Sequence, residues 1–308
     1  MSEDKDPIPY SRLFTFGLFM GTADAVPGVS GGTIALIIGI YRRLITSISE
    51  CLNFVKARFS TNSKSEFISS INFLFPLGLG MLFAYYVVTK ILVGPDASPG
   101  FLRQESTAPH IFAFFFGLVL VSVKEPWSFV SNPDYKHYFL AILGVFVVFV
   151  YSSFSVDSEG SSGLLIIGGA LALTAMLLPG ISGALVLLTL GQYTIIASSF
   201  HDGDLEPFFF LVIGGVIGLF TFVPLMNYMI SEYLDTTMAM LTGLMCGSLI
   251  TLWPWKEKYD VEGLSPNLGI SQIIDNFTDT SLLFTFLCLV LGMFSSYGLK
   301  HLEIKKGD

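Results

Sequence analysis

The chain has 308 residues, of which 52% are hydrophobic and 13% charged, with a formal net charge of −8 and a mean hydropathy of +0.69. Soluble domains carry about 25% charged residues, so this composition excludes an ordinary soluble protein and indicates a multi-pass membrane protein. The acidic balance, without any Lys/Arg cluster, excludes a nucleic-acid surface. The three cysteines are scattered and have no metal-ligand spacing, so no metal site and no resident cofactor are expected.

Eight apolar blocks follow one another along the chain. Six of them have roughly 16–24 residues, enough to cross a bilayer; they cover about 72–93, 108–123, 138–154, 207–230, 236–254 and 282–299. The other two, 13–48 and 163–200, have about 36–38 residues and are interrupted in the middle. The polar segment 49–70 is predicted to be a cytoplasmic linker or a surface helix.

The interruption has the same form in both long blocks. Residues 27–31 read Pro-Gly-Val-Ser-Gly and residues 179–183 read Pro-Gly-Ile-Ser-Gly. This sequence breaks a helix, because Pro lacks the N–H group and Gly is a poor helix former. Each arm then has about 14–16 helical residues, or 21–24 Å, which is short of the ~30 Å hydrocarbon core. We therefore predict two re-entrant hairpins, which fit better than pairs of tilted spans.

A constant offset of 152 residues aligns the two long blocks. It superposes 22–33 on 174–185, and it also aligns Gly39 with Gly191 and Tyr41 with Tyr193. Each half then reads hairpin, span, span, span, which predicts an all-α fold with a first repeat at 1–156 and a second at 157–308. Three crossings per half is an odd number, so the second repeat is expected to be inverted.

The distribution of Lys and Arg predicts the orientation. With the N-terminus in the cytoplasm, twelve of these residues fall on inside segments and three on outside segments, and Lys90 lies near the outer end of its span. Cytoplasmic loops are enriched in positive residues, so both termini are expected inside. The first hairpin then opens to the cytoplasm and the second to the outside.

A new helix is expected after each break, and the start of a helix favours anions. Its first N–H groups are unpaired and its dipole is positive there, while Ser caps it and Gly permits close approach. Two such starts near the bilayer midplane predict a site for a small anion such as phosphate. The alternative is that Pro and Gly serve only to turn the helix. The predicted headgroup residues are Gly28, Ser30, Gly31, Gly32, Thr33, Gly180, Ser182 and Gly183.

Three charged residues of the first hairpin are candidates for further roles. Asp24 is the only acidic residue inside either hairpin, and Met176 takes its place in the second. An ionisable group at membrane depth suggests coupling to H+ or Na+, and the alternative is a cap on the N–H groups of the break. Arg42 and Arg43 end the hairpin, where they either receive a phosphate or anchor the chain at the cytoplasmic face.

The stretch Gly21-Thr-Ala-Asp-Ala-Val-Pro-Gly-Val-Ser-Gly-Gly-Thr33, its continuation to Tyr41, and the second Pro179–Gly183 motif resemble the bacterial polyprenyl-phosphate transporter family PopT. The resemblance covers essentially the whole chain. It implies two inverted repeats with re-entrant helices, and transport of undecaprenyl phosphate from the outer to the inner leaflet of the cytoplasmic membrane for envelope synthesis. The second motif departs from the first at Ala184 and Leu185.

Two other functions remain open at this point. An undecaprenyl-pyrophosphate phosphatase would also have inverted repeats and re-entrant helices, but it needs positive charge and carboxylates around the phosphates. Both are missing here, since no Arg follows Ser30 or Ser182 and no Glu-x-x-x-Glu pair occurs in an apolar block. We therefore expect that the protein is not an enzyme. An ion or small-anion carrier is the other alternative. The expected partners are the polyprenyl phosphate and membrane lipids, and the oligomeric state is not predicted.

Overall fold

A computed structural model describes residues 8–57, 64–94, 98–153, 161–193, 195–196, 205–259 and 265–302. Within these ranges the regular structure is helical, apart from one isolated antiparallel bridge between Lys256 and Asn267. The first half contains α1 Tyr10–Asp24, α2 Gly31–Ile37, α3 Tyr41–Lys56, α4 Lys64–Leu92, a 3-10 turn at Phe101–Arg103, α5 Ala108–Ser122, α6 Lys124–Trp127 and α7 Tyr135–Ser153. The second contains α8 Ser162–Leu177, α9 Gly183–Thr189, α10 Glu206–Glu232, α11 Leu234–Thr251, α12 Ile270–Asn276 and α13 Asp279–His301.

Six of the described helical segments are long and apolar enough to cross a membrane. They are α4, α5 continued by α6, α7, α10, α11 and α13. The prediction of an all-α membrane protein with six spans is thereby confirmed. The largest difference in the boundaries is at α4, which begins at Lys64 and not near residue 72. Because α3 continues to Lys56, much of segment 49–70 is helix, in agreement with the second of its two predicted alternatives.

The two long blocks are broken where the sequence predicts, but the arms after the breaks are shorter than expected. α2 and α9 have seven residues each, in place of the predicted 14–16. Both end at a glycine with positive φ, Gly39 at 77° and Gly191 at 63°. The left-handed conformation is open to Gly without a Cβ penalty and commonly ends a helix. The end of the predicted hairpin 163–200 lies partly outside the described residues.

Glycines bring the first helix of each block against the long helix that follows. A Cβ placed on Gly17 of α1 would lie 2.1 Å from the carbonyl oxygen of Leu77 in α4. A Cβ on Gly169 of α8 would lie 2.0 Å from the same atom of Leu211 in α10. The backbones are therefore in direct contact in both pairs, as small residues allow in membrane helices.

The remaining spans pack in pairs that cross between the two halves. A Cβ on Gly117 of α5 would meet the carbonyl oxygen of Leu289 in α13 at 2.0 Å. A Cβ on Gly243 of α11 would meet that of Ala141 in α7, also at 2.0 Å. The last span of each half thus packs on the middle span of the other half, which interlocks the halves. α2 contacts α5 and α13 of these spans, and all seven of its residues are buried.

Candidate functional site

The start of α2 has acceptors for its first N–H groups within the protein itself. Ser30 is the N-cap in an extended conformation, and its Oγ accepts from the Gly32 N–H at 3.1 Å. The Gly31 N–H donates to Asp24 Oδ1 at 2.7 Å, and the Thr33 N–H donates to the Ser30 carbonyl oxygen at 2.9 Å. These are the groups that the sequence predicts as the phosphate site, and here they are paired.

Asp24 therefore occupies the position that an anion takes at a helix start. Its carboxylate is the negative group that the dipole of α2 favours. Gly31 lets the carboxylate approach closely, because a Cβ there would lie 2.5 Å from Asp24 Oδ2 and 3.2 Å from the Met20 carbonyl oxygen and would force the carboxylate to move. Of the two interpretations of Asp24, the cap on backbone N–H groups is the contact that the structure contains.

The end of α8 is held by side chains of the first hairpin. Ser30 Oγ donates to the Met176 carbonyl oxygen and Tyr41 Oη donates to the Leu177 carbonyl oxygen, both at 3.0 Å. The last carbonyl groups of a helix have no partner within it. Ser30 and Tyr41 thus supply hydrogen-bond donors for the carbonyl groups that the end of α8 leaves unpaired. Tyr41 was given no role from the sequence, although it aligns with Tyr193 at the 152-residue offset.

A third hydrogen bond joins the two breaks directly. The Gly180 N–H donates to Thr33 Oγ1 at 3.0 Å, between two buried residues. Gly180 has φ 84°, and a Cβ there would lie 2.7 Å from the Leu244 carbonyl oxygen of α11. Gly28, its counterpart, has φ 92°. The structure therefore joins Thr33 of the first motif to Gly180 of the second, whereas Gly28 lies against Thr251 and Gly183 against Met176.

The start of α9 differs from that of α2. Ser182 is an extended N-cap, but its side chain makes no capping hydrogen bond. Met176 stands where the first hairpin has Asp24, and it packs against Gly183, whose Cβ would lie 2.6 Å from Met176 Cγ. Among the described residues no acceptor is seen for the N–H groups of Gly183 and Ala184. The start of α2 thus has a carboxylate as an acceptor, whereas the start of α9 has none among the described residues.

Arg42 and Arg43, at the end of the first predicted hairpin, are separated from the first break by the helix α2. Both are in the first turn of α3, and the Arg43 guanidinium stacks over the ring of Phe73 in α4, with Cζ 4.7 Å from the centroid. A small pocket beside Arg43 includes Tyr10 and Asn72 and contains no residue of either break. In this conformation Arg43 is therefore placed to anchor α3 on α4.

An apolar cleft borders the second break, and the sequence analysis did not anticipate it. Its volume is about 380 Å³, and it lies between α7, α8 and α9. Leu178 and Ile181 of the break line it, and the hydroxyl of Tyr151 is buried beside it without a hydrogen-bond partner in the described structure. In the part of the chain described here, no group of three His, Cys, Asp or Glu side chains is placed to hold a metal ion.

Comparisons with known proteins give the family. The family model described as undecaprenyl phosphate translocase-like matches residues 20–266. The chain is 34% identical over 251 residues to a polyprenyl-phosphate transporter of Vibrio cholerae, covering 80% of this chain and 79% of that protein. It is 30% identical over 258 residues to a polyprenyl-phosphate transporter of Staphylococcus aureus, covering 77% and 84%. No solved structure matches significantly. The chain is a member of the undecaprenyl phosphate translocase-like family.

Proposed function

We propose that this protein carries undecaprenyl phosphate from the outer to the inner leaflet of the bacterial cytoplasmic membrane, and that it is not an enzyme. The observation that carries the proposal is the meeting of the two broken helices, joined by the bond between the Gly180 N–H and Thr33 Oγ1. Irregular backbone inside a membrane is tolerated where it is buried in protein or lines a cavity, and paired broken helices in two halves are typical of transporter binding sites. The relatives named polyprenyl-phosphate transporters supply the substrate class.

The phosphate headgroup is proposed to bind at residues 28–33 and 180–183. The N–H groups at the start of α2 suit phosphate, but the Gly31 N–H is bonded to Asp24 Oδ1 in this conformation. A phosphate that binds there must displace the carboxylate. Once displaced, Asp24 is an unpaired charge at membrane depth, and binding H+ or Na+ removes that cost. Headgroup binding and cation binding are in this way linked at one residue.

The prenyl chain is proposed to follow the apolar cleft between α7, α8 and α9. The cleft begins at Leu178 and Ile181, so a headgroup at the breaks can leave its chain in it. Val147 and Leu171 at the same cleft are 39% and 48% exposed, which gives the chain a way to the surrounding lipid.

The transport cycle is proposed to use two inverted repeats, 1–156 and 157–308. The equivalent glycine contacts of α1 with α4 and of α8 with α10 support a repeated unit. We further propose that both termini are cytoplasmic and that the two hairpins are re-entrant from opposite sides, which the bias of twelve positive residues to three supports.

The test is leaflet transfer by the purified protein in vesicles. A fluorescent short-chain polyprenyl phosphate is placed in one leaflet, and its transfer is followed by adding a membrane-impermeant quencher. Transfer of the phosphate, without transfer of the matching polyprenol, supports the proposal. Release of phosphate from undecaprenyl pyrophosphate would indicate the phosphatase. Uptake of inorganic phosphate without lipid transfer would indicate the anion carrier.

A further inference from the structure

A lysine outside the two hairpins lies close to the first break. Lys256 follows the end of α11, and its Nζ donates to the Thr251 carbonyl oxygen at 3.0 Å. Thr251 in turn packs against Gly28, since a Cβ on Gly28 would lie 2.8 Å from Thr251 Oγ1. A single residue therefore separates this ammonium group from the first break.

The ammonium group of Lys256 has only neutral partners. Its second acceptor is Asn267 Oδ1 at 3.2 Å, and the ring centroid of Phe112 lies 5.3 Å from Nζ. No described carboxylate is within salt-bridge distance of it. An ammonium has three N–H donors, so one is left over after these two bonds. Burial without a countercharge lowers the pKa of Lys256 to about 8, and an anion beside it would reverse that effect.

The loop that holds Lys256 contains a second donor without an acceptor. The indole N–H of Trp255 is buried and unpaired in the described structure, whereas that of Trp253 donates to the Leu268 carbonyl oxygen at 3.2 Å. Buried donors are almost always paired, and an unpaired one calls for an acceptor that a ligand or water supplies. In the described structure, Lys256 thus has no countercharge and the indole N–H of Trp255 has no acceptor.

We infer that Lys256 is a receiving residue for a phosphate group, which it holds at the end of α11 before the group reaches the break at Gly28. This inference rests on the proposed function, and it names the cation that balances a headgroup for which the breaks themselves provide none. The side chain is neither fully buried nor fully exposed, so a ligand can reach it. The orientation predicted from charge places this end of α11 on the outside, where transport would begin.

Lys256 also caps α11, and the experiment must separate the two roles. A cation that bonds the last carbonyl groups of a helix stabilises it without any ligand. Substitutions at Asn267 can separate capping from phosphate binding, because Asn267 is a neutral partner of Lys256 Nζ. Asn267→Asp sets a carboxylate against Nζ, whereas Asn267→Leu leaves the charge uncompensated. Both variants lose the bond that Asn267 Nδ2 donates to the Ile250 carbonyl oxygen at 2.8 Å, so they are a matched pair.

Binding to the full-length protein in detergent is measured with undecaprenyl phosphate, with the matching polyprenol and with inorganic phosphate. We expect Asn267→Asp and Lys256→Gln to weaken lipid-phosphate binding about tenfold or more, as for the loss of a charged hydrogen bond. Asn267→Leu, and Lys258→Gln at an exposed lysine of the same loop, should bind like the wild type. Binding of the polyprenol should not change in any variant.

Equal lipid-phosphate binding by folded Asn267→Asp and Asn267→Leu would overturn the inference, because the lysine would then be a cap alone. The comparison of the two Asn267 variants tests the inference even if Lys256→Gln fails to fold. If the wild type binds inorganic phosphate but no lipid phosphate, and Asn267→Asp weakens that binding, the anion site is retained and the proposed lipid function fails. Binding of neither phosphate by the wild type overturns both.

Discussion

The carboxylate of Asp24, which accepts the Gly31 N–H at the start of α2, is the group that we propose to bind the coupling cation. Asn can still accept a hydrogen bond from the Gly31 N–H through its Oδ1, so Asp24→Asn should keep the geometry of the break. The variant cannot bind a proton or balance Na+. We therefore expect a folded protein that transports lipid phosphate without dependence on pH or sodium.

The measurement for Asp24→Asn is transport in vesicles at two pH values and with sodium or potassium. Asp24→Ala is the control for structure, since it leaves the buried Gly31 N–H without an acceptor and should lose about 1–3 kcal/mol of stability. Normal transport by Asp24→Asn with unchanged pH and sodium dependence would mean that Asp24 is a cap and that coupling lies elsewhere.

Substitutions at Ser30 and Gly31 act in different ways: the first removes hydrogen bonds and the second adds a side chain. Ser30→Ala loses the cap on the Gly32 N–H and the bond to the Met176 carbonyl oxygen, at a cost of about 1–2 kcal/mol. Gly31→Leu places a side chain where a Cβ alone would lie 2.5 Å from Asp24 Oδ2. We expect both to weaken lipid-phosphate binding, the leucine more severely.

Ser182→Ala is the matched control for the stability effect of Ser30→Ala, because Ser182 is an N-cap whose side chain makes no capping bond. It is not a control for binding, since Ser182 belongs to the proposed headgroup site. Binding affinity and melting temperature are measured together. A well-folded Gly31→Leu protein with near-normal binding would show that the glycine serves only to turn the chain.

The packing of neighbouring elements depends on the exact position of a glycine within a helix. Gly80 and Gly78 both lie in α4, but a Cβ on Gly80 would be 2.2 Å from the Phe14 carbonyl oxygen of α1, whereas a Cβ on Gly78 would meet nothing within 4 Å. Gly80→Ala should therefore push α1 from α4 and lower the melting temperature. Gly78→Ala should leave it unchanged or raise it slightly, because Ala favours helix by about 1 kcal/mol. Equal melting temperatures for the two variants would contradict the packing.

The sequence predicted the breaks, the spans and the lengths of the arms before the breaks well, and the lengths of the arms after the breaks badly. Pro27 and Pro179 act locally, since a missing N–H breaks a helix in any surroundings. The stops at Gly39 and Gly191 were not anticipated, because the apolar pattern continues past them and a glycine reveals its φ only in the folded chain. The role of Asp24 was left open between two interpretations, because the sequence does not show which backbone groups its carboxylate contacts in the folded chain.

At the scale of the molecule, the pairing of spans between the halves could not be predicted from the chain. Periodicity finds an apolar span, but it does not tell which neighbour the span packs against. Gly117 and Gly243 allow close backbone contacts, and only the structure shows that their partners, Leu289 and Ala141, belong to the opposite halves.

The orientation of this interlocked molecule is the last prediction. Cysteines are introduced at exposed Lys64 and Ser271 in a protein whose native cysteines, at 51, 246 and 288, are replaced by serine. The bias of twelve positive residues to three predicts that Lys64→Cys is labelled only from the cytoplasm and Ser271→Cys only from outside. An impermeant maleimide is applied to intact cells and then to opened membranes. The odd number of crossings between Lys64 and Ser271 in the inverted-repeat arrangement requires opposite sides. Labelling of both cysteines from one side would rule that arrangement out, whichever side it was.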